Sequence, residues 1–203
     1  MLELLAMVTM LIDHIGVIFF PEEPLFRIIG RISFPLYIYL VIQGYTRTRN
    51  IKNYLIRLLV LAVISQFPYY MAFENKNFNV IFTLLTIVII LWALDHIKEN
   101  KLLILIVMIS LLLIFFMDYG VYGIGLALIY RYIKSNLILA IHLVFTVLYV
   151  YLAPSWILQI FSVVGTLILI KQSELLFLEV NRKIYRSFYP VHLTLLYMIF
   201  IMV

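Results

Sequence analysis

Apolar residues in this chain occur in long runs that are separated by short polar stretches. A helix that crosses a bilayer needs roughly 20 mostly apolar residues, with a range of about 17–25. Segments near that length lie at residues 2–20, 26–45, 55–73, 78–95, 102–117, 120–133, 137–153, 156–171 and 188–203. The pattern predicts an all-α transmembrane bundle of about nine helices, forming a single domain over residues 1–203 with no internal repeat.

The composition supports a chain that is dissolved in lipid. Hydrophobic residues make up 66% of the sequence and charged residues 12%, whereas a soluble domain has about 45–50% and about 25%. The mean hydropathy is +1.12. Cysteine is absent, which excludes disulfides and thiolate metal sites.

The basic residues predict the orientation of the bundle. Twelve of the 15 Lys and Arg residues fall in four loops, which share one side if the helices alternate. They are Arg47, Arg49, Lys52, Arg57, Lys98, Lys101, Arg131, Lys134, Lys171, Arg182, Lys183 and Arg186. The positive-inside rule places these loops and the N-terminus in the cytoplasm, which predicts a bacterial inner-membrane protein. Because topology explains the net charge of +5, we expect no nucleic-acid partner.

Two further expectations concern the start of the chain and the connection before the last predicted helix. The chain begins Met-Leu-Glu, with no basic leader and no small-residue cleavage site, so we expect the first apolar segment to be a retained helix rather than a signal peptide. The connection 171–187 mixes leucines with charged residues, which favours a short amphipathic helix at the inner surface.

Asp13 and His14 lie deep in the first predicted helix, within L-I-D-H-I-G. Ionisable groups at membrane depth are costly and usually functional. A histidine can act as a general base, and a carboxylate can orient it. Neighbouring helical residues point about 100° apart, so the two side chains need not touch. The alternative is a buried polar pair that holds helices together.

Arg27, Arg31, Pro35, Tyr39 and Gln43 repeat every four residues along the second predicted helix. This spacing predicts one slowly twisting polar row. Arginine is suited to clamp a carboxylate or phosphate. Snorkelling to the outer headgroups explains Arg27 but explains the deeper Arg31 less well.

The last predicted helix opens with F-Y-P-V-H-L. Pro190 suits a first-turn position, and Tyr189 and His192 are three residues apart and share a face. His192 is a candidate for a second acid–base group or a hydrogen-bond donor. Ordinary aromatic-belt composition is the competing interpretation.

Two other polar positions are weaker candidates. Asp118 precedes Gly120, Gly123 and Gly125, glycines that permit close backbone approach or a re-entrant turn, although a solvated loop carboxylate explains Asp118 slightly better. His142 has polar neighbours one and two turns further along its helix, which favours a structural role.

Known signatures of other chemistries are missing from the sequence. There is no H-x-x-x-H or H-E-x-x-H spacing, so we predict no metal site. There is no G-x-x-x-x-G-K-[ST] loop, no G-x-G-x-x-G and no G-x-S-x-G elbow. A nucleotide-driven pump is therefore disfavoured.

Several of these stretches, taken together, resemble the TraX family. They are M-L-I-D-H-I-G-V-I-F-F-P, F-R-I-I-G-R-I-S-F-P-L-Y-I-Y-L-V-I-Q-G-Y, S-Q-F-P-Y-Y, D-Y-G-V-Y-G and F-Y-P-V-H-L, in an order and spacing that cover nearly the whole chain. The resemblance implies a membrane acyltransferase, since founding members acetylate the N-terminus of conjugative pilin. It also implies acetyl-CoA as the cytoplasmic acyl donor and an essential membrane-embedded histidine.

Carried onto this chain, the resemblance assigns the catalytic role to His14, with Asp13 beside it. Candidates for binding the acceptor or acetyl-CoA are Arg27, Arg31, Tyr39, Gln43, Asp118, Tyr189 and His192. The expected acceptor is an amine or hydroxyl of a peptide, glycan or lipid. Two alternatives stay open at this point, a proton-coupled carrier and a non-enzymatic membrane assembly factor.

Overall fold

The protein is all-helical throughout the part that the computed structural model describes, which is residues 2–133, 137–171 and 180–202. The ten α-helices are α1 (Leu2–Phe19), α2 (Pro24–Gly30), α3 (Ser33–Arg47), α4 (Ile51–Phe73), α5 (Val80–His96), α6 (Asn100–Ile114), α7 (Gly120–Tyr132), α8 (Ile138–Leu152), α9 (Val163–Ile170) and α10 (Arg182–Phe200). A 3₁₀ segment, Pro154–Ser162, precedes α9.

The predicted number of helices is confirmed for the described residues. Helices α2 and α3 form one rod, Pro24–Arg47, interrupted only at two residues. The 3₁₀ segment and α9 form another, Pro154–Ile170. Counting each as one gives nine rods, at the nine positions that the apolar runs indicate.

Among the described residues, three rods are long and apolar enough to cross a membrane by length and composition: Leu2–Phe19, Pro24–Arg47 and Ile51–Phe73. Four shorter apolar rods are Val80–His96, Asn100–Ile114, Ile138–Leu152 and Pro154–Ile170. The outer faces carry exposed aliphatic and aromatic side chains, such as Leu112, Phe115 and Val144. Lipid is the solvent that accommodates such surfaces, so the chain is a transmembrane helix bundle.

The start of the last helix differs from the prediction. Helix α10 begins at Arg182, where the Asn181 side chain caps it by accepting a hydrogen bond from the Lys183 N–H. The first two turns are polar, so an apolar run reveals only the later part of the helix. Pro190 therefore lies inside α10 rather than in its first turn as expected. Residues 172–179 of the connection predicted as an amphipathic helix lie outside the described residues, and its last six residues are the start of α10.

Helix α3 occupies the centre of the bundle and contacts α1, α5, α7 and α9. The largest hydrophobic cluster lies where α3, α5 and α7 meet, and includes Ile38, Leu91 and Tyr122. Helix α4 packs between α5 and α10, and α10 also contacts α1. The space enclosed by α1, α3, α4 and α10 is where the candidate site lies.

The rods alternate in direction, which gives the bundle two distinct ends. At the basic end, where α3 ends and α4 and α10 begin, Asp95 accepts hydrogen bonds from Tyr45 (2.7 Å) and Arg131 (2.9 Å). At the opposite end, a backbone bridge pairs Phe78 with Met117. This bridge ties the loop before α5 to the loop before α7.

Candidate functional site

Asp13 forms ion pairs with both arginines of the second rod. Arg27 Nη1 lies 2.8 Å from Asp13 Oδ2, and Arg31 Nη2 lies 3.3 Å from Asp13 Oδ1. Asp13 and Arg31 are buried, whereas the Arg27 side chain remains 32% exposed. Gly30 permits this arrangement, because a Cβ there would overlap the Asp13 side chain.

Arg31 lies at the break between α2 and α3, where its guanidinium contacts two further elements. Its Nη1 donates to the Tyr119 hydroxyl at 3.2 Å and to Gln159 Oε1 at 3.3 Å. Tyr119 has a positive φ of 61° and its ring stacks on Phe34 at 3.7 Å. Gln159 was not among the sequence candidates, although a lone glutamine within an apolar run is a signal that could have found it.

His14 pairs with His192 across the bundle. His14 Nδ1 lies 2.8 Å from His192 Nε2. The two rings are nearly coplanar, at 11°, and their centroids are 5.0 Å apart, so they meet edge to edge as an in-plane hydrogen bond requires. His192 Nδ1 in turn lies 2.6 Å from the Phe188 carbonyl oxygen. The partner that orients His14 is therefore His192, whereas the neighbouring Asp13 is engaged by the arginines.

Asp118 lies in the loop between α6 and α7, outside the spanning helices, and half-buried at the opposite end of the bundle. Its Oδ2 accepts a 2.8 Å hydrogen bond from Tyr69, whose hydroxyl accepts another from Asn75. Thr83 donates to the Asp118 carbonyl oxygen. Burial raises the pKa of Asp118 to about 6, although the Tyr69 hydrogen bond and the charges of Arg31 and Arg27 act in the opposite direction. A plain solvated carboxylate does not describe this position.

A cavity of about 1130 Å³ connects these groups and extends toward both ends of the bundle. Asp13, His14, Arg27, Arg31 and Asp118 all line it. Its middle section is lined by aliphatic side chains of three helices, among them Leu40, Val41, Leu58, Leu61 and Leu84. At the basic end the lining contains four arginines, Arg47, Arg57, Arg182 and Arg186.

The structure thus brings together most of the candidates but separates two of them from the rest. Tyr189 also lines the cavity, and His192 adjoins it through His14. Tyr39 packs instead against the cluster formed by Ala6, Leu36 and Leu169, and Gln43 is not among the lining residues. The helix break after Gly30 interrupts the predicted four-residue row, because α3 starts as a separate helix.

His142 lies in a second polar network that the cavity does not reach. Its Nε2 lies 2.8 Å from the Tyr122 hydroxyl and its Nδ1 2.5 Å from Thr166 Oγ1. Tyr122 also bonds Thr146 and Ser162. Each buried group has a partner, as in networks that fix helix packing, in keeping with the structural role favoured from the sequence.

The comparisons with known proteins identify the family. The profile of the TraX family, described as TraX protein, matches residues 1–200. The protein is a polytopic helical membrane protein, and it belongs to the TraX family.

A curated relative offers a partial match. The chain is 31% identical over 100 residues to a protein of Dichelobacter nodosus named probable fimbrial assembly protein FimC, serogroup H1. This match covers 41% of the present chain and 41% of the relative, so it spans about two fifths of each protein. No solved structure matches the chain.

Proposed function

We propose that this protein is a membrane acyltransferase that moves an acetyl group from acetyl-CoA to an amine or hydroxyl acceptor beside His14. The observation that carries the proposal is the single cavity that joins an arginine-lined basic end to an accessible histidine in the middle of the bundle. A donor with phosphates at one end and a thioester at the other suits this distribution of charge.

The depth of the cavity suits the pantetheine arm of acetyl-CoA. Arg182 and His192 are separated by ten residues of α10, and a rise of 1.5 Å per residue places them about 15 Å apart along the helix. The arm is roughly four extended residues long, or about 13–14 Å. Phosphates held by the four arginines therefore bring the thioester close to His14.

In the transfer step, His14 Nε2 accepts the proton of the acceptor amine or hydroxyl while that nucleophile attacks the thioester carbonyl carbon. The new bond to the acceptor forms and the C–S bond breaks. The departing thiolate of CoA then takes the proton from His14, which restores the neutral ring. Arg31 carries a positive charge in the same cavity and stabilises the negative oxygen that develops on the attacked carbonyl.

The acceptor side of the cavity is the end that holds Asp118. Within the described residues, Asp118 forms no salt bridge, and Tyr69 is the donor to its carboxylate side chain. A half-buried carboxylate that has no cation in salt-bridge contact favours a positively charged ligand. This feature supports an amine as the acceptor, bound at the end of the bundle opposite the donor phosphates.

Orientation follows from the same proposal. The basic end carries the predicted cytoplasmic loops, so the donor enters from the cytoplasm of a bacterium and the N-terminus lies on the same side. The acceptor then approaches from the other face of the inner membrane or from within it.

A second candidate function is non-enzymatic assistance in fimbrial assembly. The name of the Dichelobacter nodosus relative favours it. An assembly factor needs a folded bundle and a docking surface but makes no use of a base in its cavity. Substitution of His14 therefore distinguishes the two functions.

The test is release of CoA from acetyl-CoA by purified protein in detergent, detected through the free thiol, in the presence of a simple amine acceptor. His14→Ala should retain binding of acetyl-CoA and lose thiol release by about 10²-fold or more, the usual contribution of a positioned base. The matched control is His96→Ala, since His96 is exposed at the basic end. Equal release by wild type and His14→Ala, or none by a well-folded wild type that fails to bind acetyl-CoA, would refute the enzyme proposal.

A further inference from the structure

A chain of two hydrogen bonds connects the Phe188 carbonyl to His14 through His192. A carbonyl oxygen only accepts hydrogen bonds, so the 2.6 Å contact from Phe188 O to His192 Nδ1 requires a proton on that nitrogen. A neutral imidazole carries one ring proton. His192 Nε2 therefore presents a bare lone pair to its neighbour.

The same reasoning determines which ring nitrogen of His14 carries the proton. Its Nδ1 lies 2.8 Å from His192 Nε2, and because that atom has no proton, His14 Nδ1 must supply one. The other nitrogen of His14, Nε2, is then unprotonated. No residue of the described chain forms a hydrogen bond to it, and the His14 ring lines the cavity.

We infer that His192 is a positioning residue, which holds His14 in the Nδ1–H tautomer so that a basic Nε2 faces the cavity. A free imidazole in water favours the other tautomer, with its proton on Nε2, which presents a donor where the reaction needs an acceptor. The backbone of α10 sets the tautomer of His192, and His192 sets that of His14.

The catalytic part of this inference rests on the proposed function. When Nε2 of His14 takes a proton from the acceptor, Nδ1 keeps its proton and its bond to His192. The ring therefore need not turn during transfer, and the relay preserves the geometry through proton uptake and return.

Nitrogen NMR tests the tautomers without reference to activity. The chain has four histidines, so ¹⁵N-histidine labelling in detergent gives few ring signals, assignable through His14→Ala, His192→Ala, His96→Gln and His142→Gln. An unprotonated ring nitrogen resonates far downfield of a protonated one. We expect Nδ1 protonated and Nε2 unprotonated in both His14 and His192 at neutral pH. A proton on Nε2 of His14, or on both nitrogens of His192, would overturn the inference.

Two variants of nearly matched size connect the tautomer to the rate. His192→Gln can still accept from His14 Nδ1 through its amide oxygen, whereas His192→Leu offers no partner. We expect His192→Gln to keep the His14 tautomer and most of the CoA release. We expect His192→Leu to lose that tautomer and to release CoA about 10- to 100-fold more slowly. A purely structural role predicts the reverse order, since leucine suits a site that is only 5% exposed. Correct tautomers without any CoA release from wild type would refute the acyltransferase proposal and leave the relay standing as a structural feature.

Discussion

At the scale of single residues, the site is organised by one carboxylate shared between two arginines. Asp13 contacts Arg27 and Arg31, but the two ion pairs differ in burial, with arginine side chains 32% and 9% exposed. A buried charge whose partner is removed cannot turn to water, whereas an exposed one can. The contribution of each pair to stability therefore differs even though both share one acceptor.

We expect Asp13→Asn to destabilise the bundle by about 3 kcal/mol, because it leaves the buried Arg31 without its anion. Arg27→Ala keeps the buried pair intact and should cost about 1 kcal/mol or less. Unfolding in mixed detergent micelles, followed through tryptophan fluorescence, measures both variants. A cost for Arg27→Ala that equals or exceeds that of Asp13→Asn would contradict this order.

The sequence predicted most of these residues but not their pairing. Ionisable groups stand out in apolar helices because each is costly there, which is why Asp13, His14 and Arg31 were recognised. Which group contacts which depends on helix rotation and on contacts between distant segments. Gln159 lies 128 positions beyond Arg31, and the fold of the 3₁₀ segment, which apolar length does not predict, brings the two side chains together.

At the scale of elements, the decisive feature is the break between α2 and α3. Two short helices replace the single uninterrupted rod that the sequence indicated. The break leaves Arg31 beside Asp13 and removes Tyr39 and Gln43 from the row. The length of an apolar segment predicts a crossing well, since the thickness of the bilayer sets the length that is needed. The same length carries little information on a two-residue interruption inside a crossing.

A substitution at Gly30 tests how closely α1 and α2 must approach each other. Ala normally stabilises a helix over Gly by about 1 kcal/mol, but a Cβ at Gly30 would overlap Asp13. We expect Gly30→Ala to cost about 1–3 kcal/mol through overpacking and to lower CoA release by displacing the carboxylate. The control is Gly44→Ala, whose Cβ meets the hydroxyl end of the Tyr54 side chain. If Gly30→Ala proves as stable and active as wild type, the close approach is not required.

At the scale of the whole molecule, the charged side chains that line the cavity differ between its two ends. Arginines line the basic end, and Asp118 lies at the opposite end. Basic residues in loops serve topology by default, so the sequence alone could not separate a phosphate site from an orientation signal. The structure shows which of these basic residues reach the cavity. Arg57 and Arg186 line the cavity, whereas Arg49 and Lys52 in the same end do not. The proposed donor site therefore contains only part of the basic cluster.

Substrate truncation tests that assignment directly. Acetyl-CoA has nucleotide phosphates and acetyl-pantetheine has none, but both carry the same thioester. Replacing Arg57 and Arg186 by Ala should raise the KM for acetyl-CoA by about 10-fold or more, since each charge-assisted bond contributes about 1.5–3 kcal/mol. The same double variant should leave kcat/KM for acetyl-pantetheine nearly unchanged.

The matched control removes two charges from the same end of the bundle without touching the cavity. Lys98 and Lys101 are exposed at the basic end and do not line the cavity, so their double Ala variant should keep the wild-type KM for both thioesters at physiological salt. Equal losses in the two double variants would mean that the general positive field attracts the donor. A loss confined to the arginine variant and to acetyl-CoA would instead locate the phosphates at the mouth of the cavity, and would place the thioester one pantetheine length deeper, beside His14.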